Sequence, residues 1–177
     1  AVSLTKSVEE IAHGFHPSTR SNLSRAERRG VRVEIKPRIS DAELEEFFAM
    51  VRETTERNGG RNIYQSKDYF RLLLSAIPAL PAVHDPLTLS LGVLYGYVGE
   101  SLAAVHFVVF FNGTATYLYG SSYREYLHSK VTTYLHWVAM QEAKRRGCSY
   151  YDLGAVDKDR WPTLTDFKRQ FRGEEFA

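Results

Sequence analysis

The segment "TLTDFKRQF" at 163–171 sets Phe167 and Phe171 four residues apart, with Lys168 and Arg169 beside them. On a helix the two rings share one face and the two cations flank it. Such a helix either closes a core as an ordinary amphipathic end or carries chemistry. A second stretch, "YLYGSSYRE" at 117–125, reads as a strand with Tyr117 and Tyr119 on one face, followed by Ser121, Ser122 and Arg124. Two hydroxyls and a guanidinium at a strand-to-helix crossover grip a phosphate or carboxylate, or else form a turn with serine caps and a surface arginine. Asp152 ends "YYD" at the carboxyl end of a strand, where it either lines a ligand crevice or caps the following loop.

Other residue types carry less. The six histidines lack metal-ligand spacing: His13 and His16 lie beside Gly14 and Pro17 without a matching carboxylate cluster, so no metal site is expected. His106 stands in the most apolar strand and reads as a satisfied core histidine. Cys148, the single cysteine, reads as a small buried apolar residue, and no G-x-S-x-G elbow occurs.

The elements that must position these residues follow from pattern. Ser7 and Glu10 form a capping box for a first helix, and Ser18 is expected to cap a second that runs to Arg29 and stops at Gly30. Alternation in "VRVEIK" marks a strand at 31–36. Ser40 and Glu43 open a further helix with Leu44, Phe47, Phe48 and Val51 as its apolar stripe, ending near Asn58-Gly59-Gly60. Another helix, 66–77, meets Pro78 and Pro81. Three strands then form a meander through Val98-Gly99-Glu100 and Asn112-Gly113, the second of these being the strongest hairpin signal in the chain. A helix over 130–146, a strand at "CSYYDLG" and the short helix of 163–171 complete the order. The expectation is an α/β (α+β) fold with a mixed, mostly antiparallel sheet flanked by helices.

With 177 residues, 44% hydrophobic and 25% charged, the chain suits one domain with a real core. Its longest apolar run, "LAAVHFVVFF", is too short to span a bilayer. The lone cysteine and the lack of a basic-then-apolar leader point to the cytoplasm. The formal charge is +2, but basic residues gather at 20–38 and again at 158–172, which suits either two solvated faces or a polyanionic partner touched locally.

The element order resembles the GNAT acyltransferase fold. Acetyl-CoA users of that fold cradle the pyrophosphate on a Q/R-x-x-G-x-G/A loop ahead of the helix after the meander. Here that region reads "GSSYREYLHSKVTTYLHW", with no such pattern, so no CoA cofactor is expected. Taken together, "RSNLSRAERRGVRV", "YLYGSS", "YLHWVAMQEAKRRGCSYYDLGAV" and "FKRQFRGE" resemble the Fem family (FemABX) of aminoacyl-tRNA-dependent peptidyltransferases. The resemblance covers nearly the whole chain. It implies the second of two GNAT-like domains: a basic helical lead-in at 1–30 and the domain proper at 31–177, without its last strands.

The activity so implied is an enzyme's, moving an amino acid from charged tRNA to the stem-peptide amine of a UDP- or lipid-linked muramyl peptide, the step that forms interpeptide bridges in the cell wall. DNA is not an expected partner, and contact with the inner membrane face would come through the substrate. In the family the lysine of F-K-x-x-F stabilises the oxyanion and the aromatic residue places the tRNA end; these roles fall on Lys168 and Phe167. Tyr119, Ser121, Ser122, Arg124, Asp152 and Arg169 are the further candidates for substrate contact. Between Glu125 and Trp137 the chain departs from the family, whose members often carry proline or asparagine there. The alternative is a GNAT-like N-acyltransferase that uses a thioester donor on a small amine or in polysaccharide assembly.

Overall fold

A computed structural model describes residues 1–57, 59–60, 62–82 and 85–176. In chain order the elements are β1 (Val2–Ser3), α1 (Val8–Gly14), α2 (Pro17–Arg28), β2 (Val31–Lys36), α3 (Asp41–Arg57), α4 (Lys67–Ala76), β3 (Ser90–Val98), β4 (Ser101–Phe111) and β5 (Thr114–Ser122). A 3-10 helix over Arg124–Ser129, α5 (Val131–Arg145), β6 (Tyr150–Asp152) and α6 (Pro162–Arg169) follow. The six strands form one sheet in the order β1-β6-β5-β4-β3-β2. Strands β2 to β5 pair antiparallel, β6 runs parallel to β5, and β1 returns antiparallel on β6. The parallel pair is reached through α5, because a parallel neighbour needs a crossover rather than a hairpin. The expected mixed, mostly antiparallel sheet with flanking helices is the one observed.

Local chemistry sets the element ends. Asn112 and Gly113 both adopt positive φ, 48° and 73°, as a two-residue turn matched to strand twist requires. The Ser7–Glu10 capping box forms in full, and Ser40 and Glu43 exchange the same reciprocal bonds at the start of α3. The α2 start differs from the sequence expectation. His16, not Ser18, is the cap residue, because Pro17 occupies the first helical position with its φ already set; the Ser18 amide donates to His16 Nδ1 at 3.2 Å. Of the turn expected after α3, Asn58 lies outside the described residues.

The sheet buries both faces. Against one face pack α5, α2 and α1, with Leu4, Ile11, Phe15, Leu23, Leu135 and Phe171 in the core. Residues 1–30 thus add a strand to the sheet edge and apolar side chains to this layer. On the other face α3 and α4 bring Phe47, Met50 and Phe70 against Tyr95 and Phe107. Among the described residues no helix is long and apolar enough to cross a membrane, and no cluster of three or more histidine, cysteine, aspartate or glutamate side chains is placed to hold a metal. Cys148 is buried, which pushes its thiol pKa up.

Strand β2 and helix α3 are tied by an ion pair, Lys36 Nζ to Glu43 Oε1 at 2.8 Å. Burial alone would raise the Glu43 pKa, but the Lys36 bond and the Ser40 amide and hydroxyl outweigh it and hold the carboxyl at about 2 against an ordinary 4.5. The folded-state value is the lower one, so the contribution is present above about 4.5 and is lost as pH falls towards about 2. After solvent screening it is on the order of 1–2 kcal/mol. Thermal melts of Glu43→Gln should therefore lie below wild type at neutral pH and converge with it near the acid limit. A gap that does not change with pH would remove the charge as its source.

Candidate active site

A β-bulge determines which side chains reach the site. On β4, Phe107 and Val108 are adjacent, yet they pair with Tyr119 and Tyr117 of β5, leaving Leu118 as the extra residue. An inserted residue breaks the two-residue alternation. Tyr117 and Tyr119 therefore point to opposite faces, contrary to the sequence expectation. Tyr117 packs with the α5 layer, whereas Tyr119 stacks on Phe70 at 4.8 Å in the α3–α4 layer.

Beside the bulge, a cavity of about 550 Å³ opens between β4, β5, α5, the end of α3 and α6. Strand β5 contributes Tyr117, Gly120, Ser121 and Ser122; β4 contributes His106; α5 contributes Thr132 and His136. From α6 and the loop before it come Trp161, Phe167 and Lys168, and from α3 Thr54 and Arg57. Gly120 is required there. A Cβ at that position would lie 2.5 Å from His106 Cδ2 and from the Tyr117 hydroxyl, closer than atoms pack.

The α6 helix is set into place by its buried side chains and by the loop ahead of it. Pro162 begins the helix, and Thr165 Oγ1, fully buried, accepts from the Asp157 amide at 3.0 Å. Phe171, 1% exposed, packs edge-on against Phe15 at 5.3 Å and Phe167 at 5.5 Å, and also touches His136. That anchorage turns Lys168 inward. Its side chain is 8% exposed overall, and Nζ donates to the Ala155 carbonyl at 2.7 Å. An ammonium has three protons to donate. Burial lowers the Lys168 pKa, while the Asp152 carboxylate nearby works to raise it. Asp152 itself caps the next turn, accepting from the Gly154 amide at 2.8 Å.

The polar wall opposite is ordered by α3. Arg57 donates to the Ser122 carbonyl at 3.2 Å and to Thr54 Oγ1 at 2.9 Å; Thr54 bonds Ser121 Oγ at 2.8 Å; the Tyr64 hydroxyl donates to the Gly120 carbonyl at 2.6 Å. Burial disfavours the charged form of both histidines. Burial holds His106 down to about 3. Burial, then the neighbouring His106 and Lys168, lower His136 well below its ordinary value. His136 Nδ1 bonds the Tyr151 hydroxyl at 2.9 Å, but His106 Nδ1 has no partner among the described residues. The expectation of a satisfied core histidine is overturned at that atom.

Of the residues singled out in the sequence, Lys168, Phe167, Ser121 and Ser122 come together on the cavity, with Asp152 behind Lys168. Tyr119 faces the opposite layer. Arg124 is exposed at the start of the 3-10 helix, where its amide donates to Glu53 Oε2 at 2.9 Å. Arg169 is exposed and paired with Glu175 at 2.6 Å. The basic stretch at 20–38 is partly engaged elsewhere: Arg29 donates to the His128 carbonyl, Arg38 to the Leu74 carbonyl, and Lys36 to Glu43. Missed from sequence were Thr54, Arg57, Tyr64, Thr132 and His136. Trp161 is half-buried on the cavity wall.

The fold has known counterparts. A crystal structure of FemX superimposes with TM-score 0.71 at 16% identity, over 89% of this chain and 52% of that one. The C-terminal domain of a putative lysylphosphatidylglycerol synthetase from Agrobacterium fabrum gives 0.57 at 13% identity, over 98% of this chain and 54% of that one. An aminoglycoside acetyltransferase from an uncultured soil metagenomic sample, in complex with sisomicin, gives 0.53 at 12% identity over 83% and 91%. At these identities the likeness is one of fold. The chain spans about half the length of the FemX chain it matches. Comparison with curated protein sequences gives no match. Residues 17–169 match the acetyltransferase (GNAT) domain, the region that holds most of the sheet and every wall of the cavity, and the chain belongs to that family.

Proposed function

We propose that this domain moves an aminoacyl group from a charged tRNA to the side-chain amine of a muramyl-peptide precursor, UDP- or lipid-linked. The observation that carries the proposal is Lys168, buried on the wall of the cavity with the Ala155 carbonyl as its one hydrogen-bond partner among the described residues and protons left to donate. A tRNA ester is already activated. The amine adds to its carbonyl carbon, the C–N bond forms, and the negative charge gathers on the carbonyl oxygen. The C–O bond to the ribose then breaks, and the amine proton ends on the leaving hydroxyl. Such a reaction needs alignment and a cation facing the oxyanion more than a protein nucleophile. Lys168 supplies the cation, and Phe167, half-buried on the same wall, supplies a ring on which the terminal adenosine stacks. Where CoA-dependent relatives carry a glycine loop, this chain reads "YREYLHSK" and forms a 3-10 helix, which supports a donor other than CoA.

The test is transfer of label from radiolabelled aminoacyl-tRNA to UDP-linked and lipid-linked muramyl pentapeptide. Label that enters the peptide with intact charged tRNA, and fails to enter it when the tRNA is digested with ribonuclease beforehand, is the expected result. A second reading, N-acyl transfer from a thioester to a small amine, draws on the family match and on the aminoglycoside acetyltransferase likeness. Ribonuclease-resistant turnover with an acyl thioester, and none with any charged tRNA, would replace the first reading by the second.

A further inference from the structure

Lys168 is held by one backbone oxygen, and that oxygen belongs to a turn that another side chain closes. Nζ donates to the Ala155 carbonyl at 2.7 Å. Ala155 follows Gly154, whose amide donates to Asp152 Oδ1 at 2.8 Å. A carboxylate that accepts from the amide two residues on forms an Asx turn, which fixes the course of the backbone after it. Gly154 suits this turn because it takes a φ of 77°, which side chains rarely adopt. The turn also runs close to the lysine: a Cβ on Gly154 would stand 3.5 Å from Nζ.

Asp152, the last residue of β6, does not line the cavity. Among the described residues no ion pair joins it to Lys168. Its link to the ammonium therefore runs through the backbone, from carboxylate to Gly154 amide to Ala155 carbonyl. Its charge is felt by Lys168 as well. His136 on α5 also faces Lys168, but burial disfavours its charged form, and Arg57 and Arg160 share the cavity wall. No carboxylate lines that wall among the described residues.

We propose that Asp152 is the positioning residue for Lys168: the turn it closes with Gly154 holds the Ala155 carbonyl, and with it the ammonium, where the oxyanion forms. The assignment rests on the aminoacyl-transfer reading and deepens it. A lysine stem is flexible, and an ammonium stabilises a developing charge best when it is already in place.

Three substitutions separate the turn from the charge. Asp152→Asn keeps an oxygen for the Gly154 amide and removes the charge. Asp152→Glu keeps the charge and displaces the acceptor by one methylene. Asp152→Ala removes both. In transfer from charged tRNA, Asp152→Ala and Asp152→Glu should each lose about tenfold or more in kcat, with KM within about twofold, because a displaced group costs the chemical step. Asp152→Asn should restore most of that loss. In a Lys168→Met background none of the three should add to the loss, since residues that act as a unit are not additive.

Titration of Lys168 itself, followed by NMR of protein labelled at lysine Cε, needs no substrate. Asp152→Asn should lower the Lys168 pKa further, because the ammonium stays buried and loses a nearby carboxylate. Asp152→Ala should raise it towards the ordinary 10.5, because the ammonium leaves its buried place. Shifts in the same direction would reduce Asp152 to a charge acting through space and overturn the assignment. So would Asp152→Ala activity within about threefold of wild type, a loss carried mostly by KM, or a loss undiminished in the Lys168→Met background. Should wild type transfer nothing from any charged tRNA, the aminoacyl reading falls, and the titrations alone decide the assignment of Asp152 to Lys168. Should Asp152→Ala fail to fold, Asp152→Glu takes its place in both measurements.

Discussion

Replacing Lys168 by methionine is expected to lower aminoacyl transfer by about 10²- to 10³-fold, chiefly in kcat, while the protein stays folded. The size follows from where the ammonium sits. Its side chain is buried on the cavity wall and its pKa is depressed by that burial, so the medium around it screens charge poorly. A developing oxyanion there gains far more from the cation than it would in water. The loss should be concentrated in kcat because the charge appears only as the amine adds. Stability should not fall, because methionine keeps the volume and removes a desolvated ammonium whose close charged neighbour, Asp152, already has a partner of its own in the Gly154 amide. Single-turnover transfer with charged tRNA, beside thermal melts of both proteins, makes the comparison. Activity within about threefold of wild type would remove Lys168 from the reaction, since a lost oxyanion contact costs roughly 10²-fold or more.

A second readout of the same residue is the alkaline limb of the pH–rate profile. Lys168 must be protonated to act, and its folded-state pKa lies below the ordinary 10.5. Activity should therefore fall with rising pH before an unperturbed lysine would titrate. Stability should move in the opposite direction, rising as pH passes through the folded-state value, because the unfolded chain binds that proton more tightly.

Much of the fold could be read from short stretches because those stretches fix it. Asn112-Gly113 takes two positive φ values that few residue pairs accept, and Ser40 with Glu43 satisfies helix-end amides within a span of three residues. Lys168 and Phe167 stood out because rings and cation share one helical turn. What stayed hidden depends on contacts between distant segments. Nothing local marks Leu118 as the residue without a partner on β4, yet that one insertion sends Tyr119 away from the cavity. Strand β1 is two residues long and exists only because β6 offers it an edge. Arg57 reaches the site by bonding the carbonyl of Ser122, far along the chain, and the same holds for Thr54 and Tyr64. His106 looked like a core residue and is one by burial; only the geometry shows that its Nδ1 lacks a partner.

Phe167 on α6 and Phe171, two residues past its end, should separate in a stability experiment. Phe171→Ala is expected to cost about 3–5 kcal/mol, because its ring is wholly buried and the hole it leaves is walled by groups that cannot easily collapse. Phe15 and Phe167 meet that ring edge-on at 5.3 and 5.5 Å, and His136 closes a third side at 5.6 Å. Phe15 is held in turn by Trp137 at 5.5 Å, and the α1–α2 junction is pinned to the end of α6 by the His16 amide donating to the Gln170 carbonyl at 2.9 Å. Losing the ring therefore loosens α6 where it joins the layer of α1, α2 and α5. A midpoint fall of roughly 10 °C is expected for a chain of this size, at about 2–4 °C per kcal/mol. Phe167→Ala, half-buried on the cavity wall, should cost only about 1 kcal/mol of stability. Its larger effect should fall on donor binding, where a stacked base contributes about 1–3 kcal/mol. Urea unfolding of the two variants beside wild type decides between these roles. If Phe167→Ala proves the more destabilising, or Phe171→Ala stays within about 1 kcal/mol of wild type, the ring that anchors Lys168 has been misassigned.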